Sequence, residues 1–98
     1  MKFRVTFSRI ANIELDQIVV YIGAESPAAA VQVSKRIFAK IDLLQDHPWL
    51  GRPGKRSGTR ELIVEHTPYI VAYRVNTDER RILVLRIVHH AQRWPEKL

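Results

Sequence analysis

TRELIVEHTPYIVAYRVNTDERRILVLRIVHHAQRWPEKL, residues 59–98, is the stretch that decides the fold. Within it Arg60 to His66, Tyr69 to Val75 and Arg81 to His89 are rich in Val, Ile, Leu and Tyr, while Thr67-Pro68 and Asn76-Thr77-Asp78-Glu79 have turn composition. Three antiparallel strands with short connections are predicted. Alternate side chains of a strand share a face, so Tyr69, Val71, Tyr73 and Val75 form the better core set, with Ile70, Ala72 and Arg74 opposite. On the last strand Leu83, Leu85, Ile87 and His89 are expected inside, and Ile82, Val84, Arg86 and Val88 outside. Arg74 and Arg86 would then share the more open face. Arginine in mid-strand is costly unless paired or solvated, so each is read either as an ion-pair partner of Glu61 or Glu65 or as a contact to a partner molecule.

Upstream, Phe3 to Phe7 alternates apolar and polar residues and reads as a first strand, with Ser8 as the cap of a following helix. Ala11, Leu15, Ile18 and Ile22 make an apolar stripe that ends near Gly23 to Glu25. Ser26-Pro27 places a cap residue before a proline at the first helical position, and Ala30, Val33, Ile37, Ile41 and Leu44 carry the stripe to about Asp46, where His47-Pro48 stops it. Trp49 to Gly58 is a glycine-rich, basic crossing, with Trp49 expected to pack under it. The order is β-α-α-β-β-β, an α+β fold in which a helical hairpin covers one face of a small antiparallel sheet. Residues 1–98 form one domain.

Composition bounds the function. A 98-residue chain that is 46% hydrophobic can build one compact core. No apolar run approaches the roughly 20 residues that span a bilayer, and MKFRVTFSRIANIELD lacks the features of a signal peptide, so a cytoplasmic protein with no membrane role is expected. Absence of cysteine removes disulfides and thiolate metal sites. His47, His66, His89 and His90 show no ligand spacing, so neither metal nor cofactor is expected. Sixteen Lys and Arg against ten Asp and Glu leave +6, which favours nucleic acid, a ribosome or an acidic protein as partner.

Four segments in this order, LLQDHPWLGRPG (residues 43–54), GTRELIV (58–64), PYIVAYRV (68–75) and VLRIVHHAQRWP (84–95), together with the element order, resemble the RelE/ParE superfamily of bacterial toxins over nearly the whole chain. The resemblance implies the toxin of a type II toxin–antitoxin module, held in a hetero-oligomer by a cognate ParD- or RelB-like antitoxin. RelE-like members cut messenger RNA on the ribosome, whereas ParE-like members poison DNA gyrase, and fold alone does not separate the two.

RNA cleavage by a 2′-hydroxyl needs a base, cations around the phosphate and a proton donor. RelE-like chains offer lysines on the strand where this chain has Glu61, Ile63 and Glu65, an arginine where Ile70 follows Tyr69, and a late tyrosine, whereas here none follows Tyr73. His89, which matches a histidine of some related nucleases, is the catalytic candidate; His90, its strand neighbour, should point to the other face. The long hairpin and the VLRIVHHAQRWP ending resemble ParE-like chains, and the reading leans to a gyrase poison without enzymatic activity. Arg52, Lys55, Arg56, Arg60, Arg74, Arg86, Arg93 and Trp94 are the candidates for antitoxin or target contact. The other readings are a ribosome-dependent endoribonuclease, a toxin retained only for antitoxin binding, and a nucleic-acid-binding module.

Overall fold

The computed structural model describes residues 2–91. β1 (Arg4–Phe7) leads into α1 (Arg9–Gly23) and α2 (Pro27–Asp42), which runs on through a 3-10 turn at Leu43–Gln45. β2 (Arg52–Pro53), β3 (Arg60–Ile63), β4 (Tyr69–Asn76) and β5 (Arg81–His89) follow. Both helix starts are capped as the sequence predicts. Ser8 Oγ accepts from the Ala11 amide at 3.0 Å, and Ser26 Oγ from Ala29 at 3.1 Å with Pro27 in the first turn.

The sheet order is β1-β5-β4-β3-β2. The sheet is mixed rather than antiparallel throughout, because β1 pairs parallel with β5 while β2 to β5 pair antiparallel. Two helices separate β1 from the strands that follow, which gives the chain the length to return and lay β5 alongside it in the same direction. The irregular crossing also contributes a two-residue edge strand: Arg52 and Pro53 pair with Glu61 and Arg60, an edge position where proline is tolerated.

The core lies between the hairpin and one sheet face. Ala11, Leu15 and Ile18 of α1 and Ile37 and Ile41 of α2 meet Leu62, Tyr69, Val71, Tyr73, Ile82, Val84 and Ile87. The four alternate positions of β4 therefore face inward as read. β5 departs from simple alternation. Ala72 pairs with Arg86 and Tyr73 with Val84, so Leu85 is an unpaired bulge residue. The bulge shifts the side-chain phase by one: before it Ile82 and Val84 are fully buried and Leu83 is exposed, and after it Ile87 faces the core. It falls where β1 ends, since Phe7 pairs with Val84 and the Ser8 hydroxyl then donates to the Leu85 carbonyl at 2.8 Å.

β3 stops at Ile63, three residues short of the expected strand. His66 takes a left-handed φ of 64°, and the Thr67 amide and hydroxyl both donate to the Val64 carbonyl, closing a turn before β4.

Candidate functional site

The basic crossing is held down by one phenol. Tyr73 Oη donates to the Pro48 carbonyl at 2.8 Å and accepts from the Gly51 amide at 2.9 Å, both in the interior. Gly51 is required there, since a Cβ would lie 2.8 Å from the Glu61 carbonyl and from the Tyr73 ring. Burial pushes the Tyr73 hydroxyl above its ordinary pKa, against the opposing pull of the Gly51 and Arg60 hydrogen bonds. Thus the sheet, through β4, fixes the segment that carries Arg52, Lys55 and Arg56 of the predicted binding residues.

Those residues divide by role. Arg60 is mainly structural: its guanidinium donates to the Gly51 and Trp49 carbonyls and sits 5.4 Å above the Trp49 ring. Trp49, expected beneath the loop, is 55% exposed and forms the outer layer of this stack. Arg52 pairs with Glu61, which is buried and turned to the face away from the helices. Glu65 pairs with Lys40 of α2, so the acidic set that the sequence placed on one open face is divided between two sides. Lys40, by hydrogen bond and charge, lowers the Glu65 pKa. Lys55 and Arg56 are exposed on the loop. Arg93 and Trp94 lie outside the described residues.

Arg74 and Arg86 do fall on the same sheet face by register, but their surroundings differ. Arg86 is buried, and its guanidinium meets the Glu14 carboxylate of α1 through Nε at 3.0 Å and Nη2 at 2.6 Å. Glu14 also accepts from the Ile87 amide at 2.8 Å, on the stretch of β5 edge that β1 no longer covers. The expected partners, Glu61 and Glu65, are engaged elsewhere. Arg74 is exposed, with its Nη1 only 3.0 Å from where a Gly58 side chain would begin; Gly58, at φ +78°, suits both the backbone and this approach. Sequence reading missed Glu14, which borders the apolar stripe of α1 one residue before Leu15. It also missed Arg4 and Arg81, whose signal is alternation with the inward-facing Val5 and Ile82.

His89 occupies the other end of the sheet. It pairs with Tyr69, meets that ring edge-on at 5.8 Å, and accepts the Ala91 amide at Nδ1. The expected separation of His89 and His90 onto opposite faces does not occur. β5 ends at His89, so strand alternation no longer applies, and the two rings stack at 4.7 Å. From Tyr69 to Arg74 is five residues along β4, about 17 Å at roughly 3.4 Å per residue. The candidate base and the exposed cationic end are therefore far apart, and the arginine nearest the base in sequence is held by Glu14. Among the described residues no group of histidines and carboxylates has metal-binding geometry, and no helix is long and apolar enough to cross a membrane.

Comparison with known proteins agrees with this architecture. Residues 5–94 match the family model described as the ParE toxin of the type II toxin–antitoxin system parDE. A relative from Sinorhizobium fredii, "Putative toxin Y4kP", is 38% identical over 95 residues, covering 97% of this chain and 96% of its own. Among solved structures, the chromosomal ParDE system of P. aeruginosa superposes with a TM-score of 0.77 at 27% identity, over 90% of this chain and 96% of the other. The toxin–antitoxin complex RelBE2 of Mycobacterium tuberculosis gives 0.64 at 22% identity, over 91% and 99% of the two chains. The intact E. coli RelBE complex gives 0.70 at 14%, over 93% and 99%; these last two likenesses are of fold.

Proposed function

From the premise that this chain belongs to the ParE toxin family of type II toxin–antitoxin systems, we propose that it arrests growth by poisoning DNA gyrase and is neutralised by a cognate antitoxin. The observation that carries the target choice is the distance between His89 and Arg74, the exposed arginine of β4. A phosphodiester cleaved by general base catalysis needs base and cationic groups within hydrogen-bond reach of the same phosphate. About 17 Å along a strand is several times that reach. Arg86, placed closer, spends its guanidinium on Glu14 and so serves the fold. A poison that acts by contact needs no such convergence.

The antitoxin surface is the outer side of the helical hairpin. A groove of about 620 Å³ there is lined by Val19, Val31, Phe38 and Ala39, with Lys35 and Asp42 at its margin. Val31 is 55% exposed, and an apolar helix laid along the groove would cover it. The exposed Lys55 and Arg56 suit acidic residues of the same partner. Val31→Glu should weaken the complex at least tenfold in titration calorimetry, and unchanged affinity would place the antitoxin elsewhere. Arg56→Glu tests the charged contact cleanly. Arg60→Glu does not, because Arg60 holds the loop carbonyls.

Expression of the chain without antitoxin is the cellular test. Growth arrest with broken DNA, while pulse-labelled protein synthesis continues, is the expected result. Immediate arrest of translation would contradict it and favour the second reading, ribosome-dependent RNA cleavage. One observation supports that alternative: the stacked His89–His90 pair, two imidazoles of the kind used for general acid–base catalysis. His89→Ala would then abolish cleavage while preserving fold. Undisturbed growth would instead mark a toxin retained for antitoxin binding.

A further inference from the structure

The sheet face turned away from the helices is uneven. At its Ala72, Arg86 and Val88 end the side chains are buried, whereas at the other end Arg4 and Arg74 are exposed and Arg81 is half-buried. At this second end lies a cleft of about 570 Å³ lined by Thr6, Arg74, Val75, Asn76, Thr77, Arg81 and Leu83. The register explains why these residues meet. Arg4 neighbours Arg81 across the β1–β5 pair, Thr6 neighbours Leu83, and Arg74 lies opposite Leu83. Arg74 and Arg81 are therefore diagonal neighbours, about 7–8 Å apart at Cα.

Like charges on adjacent strand positions repel. Glu79, paired with Arg81, is the one carboxylate bonded to this group, and neither Arg4 nor Arg74 has an ion-pair partner among the described residues. Lys55 and Arg56 extend the cationic surface past Gly58, against which Arg74 rests.

We infer that this end of the sheet binds the phosphate backbone of duplex DNA, with Arg4, Arg74 and Arg81 on successive phosphates and the Lys55–Arg56 loop beside them. Lys55 and Arg56 continue the cationic surface beyond the three arginines, a spread suited to a run of phosphates. Guanidinium groups suit bidentate pairing with phosphate oxygens. A protein segment would need a row of large apolar anchors; the cleft offers Leu83 and the edge of the half-buried Val75, whereas Val19, Val31 and Phe38 line the groove on the helical hairpin. The biological role of this contact rests on the gyrase reading: a toxin that also grips DNA would engage the enzyme where enzyme and DNA meet.

The test is fluorescence anisotropy of a short random-sequence DNA duplex titrated with the purified full chain over a range of salt concentrations. Affinity should fall as salt rises, and Arg74→Ala combined with Arg81→Ala should reduce the slope of log affinity against log salt by about 1.8, two phosphate contacts' worth. Arg74→Lys should keep the slope, and Glu79→Gln, which frees Arg81, should tighten binding. Melting curves confirm that the variants fold. A wild-type chain that does not bind the duplex, or a double variant with an unchanged slope, would overturn the inference. So would a double variant that loses only antitoxin affinity, since the face would then be a site for an acidic protein segment. Duplex binding with the expected slopes but unimpaired gyrase would keep the DNA site and remove the gyrase reading. Undiminished gyrase poisoning by a double variant with unchanged slope would do the reverse.

Discussion

Tyr73 shows how one side chain links core to surface. Its ring is fully buried in β4, and its hydroxyl joins Pro48 to Gly51, so the crossing that carries Arg52 to Arg60 is fixed by a residue the sequence offers only as core. Tyr73→Phe would leave a buried amide and carbonyl without this partner and should cost about 2 kcal/mol in denaturant unfolding. The same phenol gives a pH dependence. Because its folded pKa lies above the ordinary 10.0, its contribution is intact below pH 10.0 and is lost as pH rises towards the folded value. Tyr69, raised by burial and by the nearby Tyr21, acts in the same direction. Unfolding midpoints should therefore drop above pH 10.0, with a smaller drop in Tyr73→Phe; an identical drop in both proteins would show that Tyr73 does not contribute.

Among the elements, β5 is where reading by periodicity breaks down. The strand's bounds were legible from Arg81 to His89, and so was the inward set of β4, because neither depends on its partner. Which residues of β5 face inward was not. The phase changes at Leu85, and that bulge coincides with the end of β1 at Phe7, where the Ser8 hydroxyl bonds the Leu85 carbonyl, a tertiary arrangement that no local pattern encodes. Deleting Leu85 would join Val84 directly to Arg86, keeping Ile82, Val84 and Ile87 inward but removing the carbonyl that accepts from the Ser8 hydroxyl. The deletion should lower the thermal midpoint while leaving a cooperative transition, and loss of that transition would contradict this register. The pairing of Arg86 was equally hidden, since Glu14 lies 72 positions away on α1. Glu14→Ala leaves a buried guanidinium and the Ile87 amide without that carboxylate, and should destabilise the fold by about 3 kcal/mol in denaturant titration. Of the eight predicted contact residues, Arg60 and Arg86 owe their placement to the fold, while Lys55, Arg56 and Arg74 face outward.

Taken as a whole, the molecule separates three surfaces: an apolar groove on the helical hairpin, a cationic end of the sheet, and a histidine pair at the opposite end of β4 and β5. The family was legible from four short segments in order because they mark the helix exit and the strands that build this sheet. The target was not, and the separation of His89 from Arg74, on which the gyrase proposal leans, is defined only by the folded sheet. Purified gyrase, supplied with relaxed and supercoiled plasmid and titrated with the wild-type chain or His89→Ala, tests the central claim most directly. Equal loss of supercoiling with trapped linear plasmid for both proteins is the expected result. Intact supercoiling, with ribosome-bound messenger RNA cleaved by the wild-type chain and spared by His89→Ala, would contradict it.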